Sequence, residues 1–306
     1  MLDCVVVGGG PAGLTAAIYL ARFHLDVRVI DAGNSRAATI PMTRNHAGFP
    51  DGIAGVELVD RMRMQARRYG AELVRAEVDG LKVAASGLHV SVGDEVVATR
   101  SVLLATGVVN RRPPMPDDLH ATALALGLLR YCPICDGYEV TDRRVAVLGT
   151  GGHGTREAIF LRGYTADVTL IAPGGQHDLS PEQRALLAKS GIAMVDGPAD
   201  AFAIDGDQIR LRTVEGDLRF DSLYPALGSD INSALAIDIG AARSDEGCLI
   251  VDAHQRTNIA RLYAAGDVVK GLDQISHAMG EGGVAATTIR NDLASEHALL
   301  RNAPSR

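Results

Sequence analysis

The segment Val5-Val6-Val7-Gly8-Gly9-Gly10-Pro11-Ala12-Gly13 decides the fold of this chain. It joins an apolar strand predicted at Asp3–Val7 to a helix predicted from residue 12 to about residue 23. A second strand follows at Asp26–Ile30, so strand, turn, helix and strand form one β-α-β unit. Such a unit is the building block of an α/β nucleotide-binding domain.

The glycines of this turn fit the pattern G-x-G-x-x-G, which is typical of dinucleotide binding when it lies between a strand and a helix. Gly8 permits the tight turn, Gly10 lets the backbone approach a pyrophosphate, and Gly13 lets helix and strand pack closely. The phosphates would lie at the helix N-terminus, where free N–H groups and the helix dipole favour negative charge. Asp31 ends the second strand, where its carboxylate can accept hydrogen bonds from a ribose.

The same pattern recurs in the middle of the chain. A strand predicted at Val145–Leu148 enters the turn Gly149-Thr150-Gly151-Gly152-His153-Gly154, and a helix from about residue 154 and a strand at Asp167–Ile171 follow. Each unit also has a later strand that runs into glycine, at Ala105-Thr106-Gly107 and at Pro225-Ala226-Leu227-Gly228. The repeat predicts an α/β protein with two Rossmann-like nucleotide-binding domains.

The connections between the two units indicate how they are joined. The proline-rich segment Arg111–Pro116 is interpreted as the connection out of the first domain, and a return crossing is predicted near Asp230–Leu235. The first domain is therefore predicted to comprise residues 1–112 and 233–306, with the second domain, residues 113–232, inserted between them. The last residues, Asn302–Arg306, are expected to form a loose tail.

Composition and charge narrow the functional class. Hydrophobic residues make up 47% and charged residues 22% of the 306, as in a globular chain with a real core. The net charge is −7, and the charged residues are spread along the chain without long blocks of one sign. This argues against nucleic acid or an anionic membrane as the main partner, because both bind a basic face. No apolar run approaches the roughly 18–20 residues that span a bilayer, and no secretory signal opens the sequence. With only four cysteines, the chain is expected to be cytoplasmic.

The segment that indicates chemistry is Tyr131-Cys132-Pro133-Ile134-Cys135-Asp136-Gly137. Two cysteines separated by two residues can close a small disulfide ring, and this spacing often lowers the pKa of one thiol so that it attacks as a thiolate. Asp136 lies beside the pair and can move a proton to or from a thiol. A redox-active pair is the favoured interpretation, because the pair lies just before the second nucleotide-binding unit.

Two other interpretations of the cysteine pair are open. A zinc site would need a second pair of ligands, but Cys4 and Cys248 are isolated and are predicted to lie in strands, so no metal is expected. A purely structural disulfide is the other alternative. Cys4 is expected to be an ordinary core residue.

A further acidic residue follows an apolar strand near the end of the chain. The segment Leu262-Tyr263-Ala264-Ala265-Gly266-Asp267-Val268 places the Asp267 carboxylate at the carboxyl end of a strand, where open α/β sheets bind ligands. The alternative is a turn aspartate that caps the helix that follows.

Taken together, these residues resemble the low-molecular-weight thioredoxin reductase family of FAD-linked disulfide oxidoreductases. The motifs occur in the family's order and at its approximate spacing, over the whole chain. The resemblance implies an interrupted FAD domain, an inserted nicotinamide-nucleotide domain that carries the cysteines, and a homodimer. The matching segments are Gly8–Gly13, Asn45–Gly55, Leu104–Gly107, Cys132–Gly137, Gly149–Glu157, Tyr263–Val268 and Gln274–Ala286.

The resemblance also implies roles for single residues. Cys135 would face the flavin and exchange electrons with it, Cys132 would attack a substrate disulfide, and Asp136 would donate or accept the proton. Asp267 would hold the ribityl–phosphate arm of FAD, and two amide side chains would line the isoalloxazine ring. The candidate FAD-binding residues are Gly8, Gly10, Pro11, Ala12, Gly13, Asp31, Asn45, Thr106, Gly107, Gly266, Asp267, Gln274 and Ile275.

The inserted domain departs from the family pattern. Gly149, Gly151 and Gly154 keep the glycine frame of a possible nicotinamide-nucleotide site. Members that use NADPH carry a basic His-Arg-Arg-type cluster after the next strand, whereas this chain has Ala172-Pro173-Gly174-Gly175. The guanidinium groups that would pair with a 2′-phosphate are absent from that segment, and so is the acid that would favour NAD. NADPH or NADH is therefore a doubtful donor on sequence grounds.

Two histidines near this site are open to interpretation. His177 could be a weak substitute for the basic cluster, but a solvated loop histidine is the favoured interpretation. His153 lies inside the glycine turn, where the family usually has a small residue, and its ring can obstruct a pyrophosphate or donate to one.

Near the flavin, the chain departs from the family at two further places. Ser35-Arg36-Ala37-Ala38 replaces a glycine-glycine-glutamine segment, and Asp273 stands where an arginine is common. His277 lies four residues after Asp273, so the two side chains are expected to pair. His277 is interpreted as a helix residue at a subunit contact, with a base near the flavin as the alternative.

These observations favour a thioredoxin reductase-like, FAD-dependent thiol–disulfide oxidoreductase that acts on a thioredoxin-like protein or a small molecule. The main alternative is a dithiol oxidase that forms a disulfide in a small molecule and gives the electrons to oxygen. Those oxidases tend to have histidine after the second cysteine, whereas this chain has Asp136. A non-enzymatic flavin-binding redox sensor is a third hypothesis, disfavoured because the catalytic parts are complete.

Overall fold

The computed structural model describes residues 1–300, so the predicted tail at 302–306 lies outside the described residues. The strands are β1 (Leu2–Val7), β2 (Val27–Ile30), β3 (Glu72–Val74), β4 (Gly80–Ala84), β5 (Gly87–Val92), β6 (Glu95–Leu104), β7 (Val108–Asn110), β8 (Val145–Leu148), β9 (Val168–Ile171), β10 (Ala193–Val195), β11 (Asp200–Asp205), β12 (Gln208–Thr213), β13 (Gly216–Phe220), β14 (Ser222–Pro225), β15 (Ser229–Ile231) and β16 (Leu262–Ala264). The α-helices are α1 (Pro11–Arg22), α2 (Gly55–Arg68), α3 (Asp117–Ala125), α4 (Pro133–Asp136), α5 (Gly151–Leu161), α6 (Pro181–Lys189), α7 (Ala234–Ile237) and α8 (Ile275–Glu296).

The first sheet has seven strands and draws on both ends of the chain. β3, β2, β1 and β6 run parallel in that order, and β16 also pairs in parallel with β6. β5 and β4 extend the sheet as antiparallel strands. The parallel strands end at one edge, and the loops that follow them build the site described below.

Helices α1, α2 and α8 cover one face of this sheet, and α1 and α8 approach each other closely. α1 begins at Pro11, where the missing N–H and the fixed φ of proline suit the first helical turn. Ala16 and Ala17 are completely buried. A Cβ added at Gly282 of α8 would overlap the carbonyl oxygen of Ala12, so glycine is needed for this contact.

The second sheet is wholly parallel, in the order β10, β9, β8, β14. Leu161 of α5 and Leu187 of α6 are buried against one face, and Phe220 and Ile209 of the antiparallel β11–β13 meander are buried against the other. This sheet with its glycine turn is the second Rossmann-like unit that the sequence predicts.

The two connections between the sheets run side by side. β7 leaves the first sheet and β15 returns from the second, and they pair antiparallel with Val108 opposite Ile231. This two-stranded ribbon agrees with a chain in which one domain is inserted into the other. No helix within residues 1–300 is long and apolar enough to cross a membrane.

Two local predictions are wrong. The helix of the second unit begins at Gly151 rather than near residue 154, because the N–H of Gly154 already donates to the carbonyl oxygen of Thr150 at 3.1 Å. Cys248 lies in a loop rather than in a strand, since the N–H of Ser244 donates to its carbonyl oxygen at 2.8 Å and closes a turn. Cys4 lies in β1 and is completely buried, as predicted.

Candidate active site

A cavity of about 870 Å³, here called the large cavity, opens where the parallel strands of the first sheet end. Its volume lies in the upper part of the range of about 300–1,000 Å³ that is typical of cofactor sites. Cys132, Cys135 and Asp136 line it. The candidate FAD-binding residues that line it are Gly8, Gly10, Pro11, Ala12, Asp31, Asn45, Thr106, Gly107, Gly266, Asp267, Gln274 and Ile275.

In the first glycine turn, two glycines pack so closely against the backbone that no side chain would fit, and a third has free space beside it. A Cβ at Gly8 would overlap the carbonyl oxygen of Ala105, and a Cβ at Gly13 would overlap the carbonyl oxygen of Gly8. At Gly10 the nearest atom to an added Cβ is Ser35 Oγ, at 3.5 Å, so packing within the chain does not require glycine there. No side chain caps α1, which leaves its first N–H groups for an anion. These features fit the pyrophosphate of FAD.

Asp31 is held in place at the end of β2. The N–H of Gly33 donates to Oδ1 at 2.9 Å, and Arg63 Nη2 lies 3.0 Å from Oδ2. Both contacts come from within the first domain and fix the direction of the carboxylate. Its remaining lone pairs can accept hydrogen bonds from ribose hydroxyls.

Arg36 lines this site although no motif in the sequence predicts a role for it. Its Nη1 lies 3.0 Å from Asp267 Oδ2 and 3.0 Å from Asp273 Oδ2, and all three residues line the large cavity. Burial and the neighbouring Asp267 raise the pKa of Asp273, and the Arg36 cation opposes the shift. Arg36 and Asp273 both depart from the family pattern. Because one side chain is cationic and the other anionic, the two departures form an ion pair with each other in the structure.

The structure joins Cys132 and Cys135 in a disulfide with Cα atoms 5.2 Å apart. Cys132 precedes the short helix α4, and its Sγ accepts a hydrogen bond from the N–H of Cys135 at 3.2 Å. Gln274 Nε2 lies 3.3 Å from each of the two sulfurs. Both sulfurs therefore face a polar group that can donate to a thiolate when the bond is reduced.

A chain of hydrogen bonds fixes the orientation of Gln274. Asn45 Nδ2 donates to Gln274 Oε1 at 3.0 Å and to the carbonyl oxygen of Ile134 at 3.3 Å. Thr43 Oγ1 donates to Asn45 Oδ1 at 3.1 Å. The carbonyl end of the Gln274 amide is thereby turned to Asn45, and its NH₂ group is turned to the disulfide.

Asp136 carries a half-buried carboxyl and follows Cys135 directly in the chain. Tyr224 donates its hydroxyl hydrogen to Oδ1 at 2.9 Å, and Arg130 Nη1 lies 3.1 Å from Oδ2. Burial raises the pKa of Asp136, and the Arg130 cation and the Tyr224 hydroxyl oppose the shift. Burial and the Asp136 charge also raise the pKa of Tyr224. A carboxyl with a raised pKa is protonated over a wider pH range, which suits a proton donor to a thiolate.

Comparisons with known proteins agree with this geometry. The family model described as pyridine nucleotide-disulphide oxidoreductase matches residues 2–282. The thioredoxin reductase of Mycolicibacterium smegmatis is 32% identical over 283 residues, which are 87% of this chain and 88% of that protein. That of Streptomyces coelicolor is 33% identical over 286 residues, 87% and 86% of the two chains. The crystal structure of thioredoxin reductase from Streptococcus pyogenes has a TM-score of 0.88 at 26% identity and covers 96% of this chain and 99% of its own.

This chain belongs to the pyridine nucleotide-disulphide oxidoreductase family. It is a thioredoxin reductase-like, FAD-dependent disulfide oxidoreductase. The fold class, the enzyme class and the flavin predicted from the sequence are thereby confirmed.

The second glycine turn of this oxidoreductase has different surroundings from the first. Gly149, Gly151 and Gly154 are not among the residues that line the large cavity. His153, on the first turn of α5, is 48% exposed, and its Nε2 lies 3.3 Å from Glu157 Oε1. The ring therefore points along its own helix towards Glu157.

The expectation that His177 is a solvated loop residue is wrong. It is only 6% exposed. Its Nδ1 lies 3.2 Å from Thr150 Oγ1, and its Nε2 lies 3.2 Å from the carbonyl oxygen of Leu170. Burial lowers its pKa. The ring fastens the loop after β9 to the second glycine turn and does not supply a cation for a phosphate.

The expected pairing of His277 with Asp273 is also not what the structure has. His277 Nε2 lies 3.1 Å from Glu281 Oε1, one turn further along α8. Because α8 begins at Ile275, Asp273 precedes the helix and the four-residue spacing does not apply to it. Asp273 pairs with Arg36 instead.

Arg130, Tyr224, Arg36 and Glu157 contribute to the site but were not predicted. Tyr224 is the third residue of β14 and reaches Asp136 across 88 residues of sequence, and Arg36 reaches Asp267 across 231. Local patterns do not report such contacts. The one available signal was the position of Tyr224 in its strand. Tyr224 lies opposite Val147 of β8, close to the edge at which these parallel strands end and where such sheets bind ligands.

Proposed function

We propose that this oxidoreductase passes electrons from a pyridine nucleotide through FAD to the Cys132–Cys135 disulfide, and from there to the disulfide of a thioredoxin-like protein. The observation that carries the proposal is the shared large cavity. The open backbone at Gly10 and both cysteines line the same space, so a flavin held by the first glycine turn and the disulfide can meet within it.

Bound FAD would supply the carrier that accepts a hydride equivalent and returns an electron pair to a disulfide. Cys135, which lines the large cavity, is proposed as the cysteine that exchanges electrons with the flavin. Cys132 is then released as the thiolate that attacks the substrate disulfide. Asp136 holds the proton that a thiolate takes up, and Gln274 orients towards both sulfurs and stabilises the developing charge.

The remaining candidate residues are proposed to bind FAD. Gly10 and the first N–H groups of α1 would face the pyrophosphate, and Asp31 would accept from a ribose. Asp267, paired with Arg36, would hold the ribityl–phosphate arm. The other proposed contacts are those of Gly8, Pro11, Ala12, Asn45, Thr106, Gly107, Gly266 and Ile275. Gly13, which does not line the large cavity, would act by letting the turn pack closely against Gly8.

We propose that the donor nucleotide binds at the second glycine turn, through Gly149, Gly151 and Gly154, with little preference for the 2′-phosphate. The segment 172–175 has no cationic side chain, and His177 is buried against Thr150. This segment therefore has no cationic side chain that could form an ion pair with the 2′-phosphate and so select NADPH over NADH.

The domain boundaries, the assembly state and the location are also proposals. Boundaries at 1–112, 113–232 and 233–306 are supported by the β7–β15 ribbon, which lies at both junctions. A homodimer is implied by the family resemblance. A cytoplasmic location rests on the low cysteine content.

The proposed function is tested by mixing the purified flavoprotein anaerobically with NADPH and, separately, with NADH while the visible absorbance of the flavin is followed. We expect rapid bleaching by at least one nucleotide, and renewed absorbance when a disulfide protein is added. If neither nucleotide bleaches the flavin and a small dithiol does so promptly, with oxygen consumed on re-aeration, the dithiol-oxidase function is correct instead.

A further inference from the structure

A second cleft, of about 320 Å³, adjoins the large cavity at the cysteine pair. It lies between α5 and the segment 272–274, and we call it the Cys132 cleft. Cys132 lines both spaces, whereas Cys135 lines only the large cavity of the two. One half of the disulfide is therefore reached from a space other than the one that fits FAD.

The size and walls of the Cys132 cleft fit a small ligand. Its volume lies at the lower end of the range of about 300–1,000 Å³ for small-molecule sites, whereas a folded protein partner would cover about 800 Å² of open surface. Ile134, Phe160 and Leu272 line it, and they are 47%, 43% and 50% exposed. Exposed apolar side chains grouped around a reactive sulfur indicate contact with an apolar part of a ligand.

Arg156 gives the cleft a cation that forms no ion pair within residues 1–300, although burial and the Arg156 charge lower the pKa of His153, and that charge opposes the burial that raises the pKa of Glu157. It lines the cleft from α5, and within residues 1–300 no carboxylate oxygen lies within 4.0 Å of its guanidinium nitrogens. A guanidinium fork binds a carboxylate through two parallel hydrogen bonds. Arg156 can therefore recognise an anionic group of a ligand that reaches Cys132.

Glu157 and His153 give the cleft a proton carrier. Both line it, with Glu157 Oε1 at 3.3 Å from His153 Nε2. Glu157 Oε2 is buried and has no hydrogen-bond partner among the described residues. Burial raises the pKa of Glu157 to about 7, so a part of the population is protonated at neutral pH. A carboxyl oxygen without a hydrogen-bond partner, in a cleft that Cys132 also lines, can protonate a thiolate that leaves within that cleft.

We propose that the Cys132 cleft binds a low-molecular-weight aromatic or apolar disulfide that carries a carboxylate, with Arg156 on the carboxylate and the Glu157–His153 pair as the proton donor. This inference rests on the proposed function, because it needs the reduced cysteine pair, and it adds a small-molecule disulfide to the protein disulfide proposed there. The Cys132 thiolate attacks one sulfur of the ligand, a mixed disulfide forms, and the second sulfur leaves as a thiolate that takes the Glu157 proton. The Cys135 thiol gives its proton to the Glu157 carboxylate and attacks Cys132, which re-forms the protein disulfide and releases the other thiolate, and that thiolate takes this second proton from Glu157. One electron pair from the reduced flavin and two protons thus convert one disulfide into two thiols.

The test compares two coloured-product disulfides, dithiobis(nitrobenzoate), which carries carboxylates, and uncharged dipyridyl disulfide. The FAD-loaded enzyme is photoreduced anaerobically, so that the result does not depend on the electron donor, and thiol release is followed at several disulfide concentrations.

For Arg156→Gln we expect the apparent KM for the carboxylated disulfide to rise roughly tenfold, as for the loss of a charge-assisted hydrogen bond. The apparent KM for dipyridyl disulfide should stay within about twofold. Arg156→Lys should restore part of the loss, and Arg143→Gln, an exposed arginine outside the cleft, should change neither.

Glu157→Gln tests the proton donor separately. This arm uses bis(2-carboxyethyl) disulfide, because its aliphatic thiolate is basic and needs a proton to leave at neutral pH. We expect the rate at which this disulfide reoxidises the reduced enzyme to decline as the pH rises through about 7, and Glu157→Gln to lose that decline. An unchanged pH profile contradicts the role of Glu157.

The outcomes separate this inference from the proposed function. If the wild type releases thiol from both disulfides and Arg156→Gln affects them equally or not at all, the Cys132 cleft is not an anion-recognising site, although the disulfide chemistry stands. If the wild type releases thiol only from a protein disulfide, the small-molecule substrate class is wrong. If NADPH or NADH abolishes the difference between the two disulfides by competing for the cleft, the cleft belongs to the nucleotide. If the photoreduced enzyme releases thiol from no disulfide, the proposed function fails as well.

Discussion

The two glycine turns of this chain share one sequence pattern and have different surroundings. The first, at Gly8–Gly13, borders the large cavity, with Asp31 fixed by Arg63 and Arg36 bridging two carboxylates. The second, at Gly149–Gly154, carries the ring of His153 and is fastened to the following loop by a buried histidine. Neither helix that follows has a side-chain cap, so both helix ends can attract an anion. The backbone pattern alone therefore does not decide the ligand, and the side chains around it do.

The largest expected effect concerns the cysteine pair, both members of which line the large cavity together with the first turn. Cys132→Ser should lower disulfide turnover by roughly 10³-fold or more, because a hydroxyl does not replace the thiolate. Bound flavin should be unchanged. Turnover with a disulfide substrate and flavin content per chain are the measurements, with Cys248→Ser as the control that keeps its activity. A Cys132→Ser enzyme with a tenth of wild-type turnover would contradict the assignment.

The next prediction compares one glycine from each turn. Gly8 has a φ of +111°, and an added Cβ overlaps the carbonyl oxygen of Ala105, so Gly8→Ala should cost roughly 3 kcal/mol of stability and most of the flavin. At Gly151, φ is +59° and the nearest atom to an added Cβ lies 3.6 Å away. Gly151→Ala should cost only about 1 kcal/mol and keep the flavin. Thermal unfolding and flavin absorbance check both, and equal losses would show that the two turns do not differ as described.

Much of the first domain and its site could be predicted from local sequence. The spacing of Gly8–Gly13, the strand ends at Asp31 and Asp267 and the pair Cys132–Cys135 are all local patterns, and the structure brings them to one cavity. Among the candidate FAD-binding residues, Gly13 alone does not line the large cavity, because it packs against Gly8 inside the turn.

What could not be predicted depends on tertiary contacts. In the sequence, Arg36 and Asp273 are two separate departures from the family pattern. Only the fold shows that they interact, with Arg36 Nη1 at 3.0 Å from Asp273 Oδ2. The exposure of His177 was predicted wrongly because its burial depends on the loop after β9 folding back on Thr150. The partner of His277 was predicted wrongly because the start of α8 was not known.

A third prediction sharpens the comparison at the second turn through pH. Burial raises the pKa of Glu157 from 4.5 to about 7, so the folded state binds this proton more tightly than the unfolded chain. Stability should therefore fall as the pH rises from about 5 to about 8. Glu157→Gln should flatten this fall and be more stable than the wild type by about 1–3 kcal/mol near pH 8. Denaturant unfolding at the two pH values measures it, and an unchanged pH dependence in the variant would show that Glu157 titrates normally.

The smallest expected effect is on nucleotide preference. With no cation in the segment 172–175, the kcat/KM values for NADPH and NADH should agree within about tenfold. Gly174 has no atom within 4 Å of an added Cβ, so Gly174→Arg should fit and favour NADPH by a few-fold, while Gly174→Gln should not. Steady-state kinetics with both nucleotides test this. A strong NADPH preference in the wild type would mean that a cation outside this segment recognises the 2′-phosphate.

The central claim is that the flavin and the Cys132–Cys135 disulfide exchange electrons within one cavity. Anaerobic reductive titration of the FAD-loaded protein, compared with its Cys135→Ser variant, tests it most directly. The account predicts that the wild type takes up one electron pair more than the variant before its flavin is fully bleached, because the disulfide accepts that pair. Equal uptake by the two proteins, with the disulfide still intact in the wild type, would contradict it.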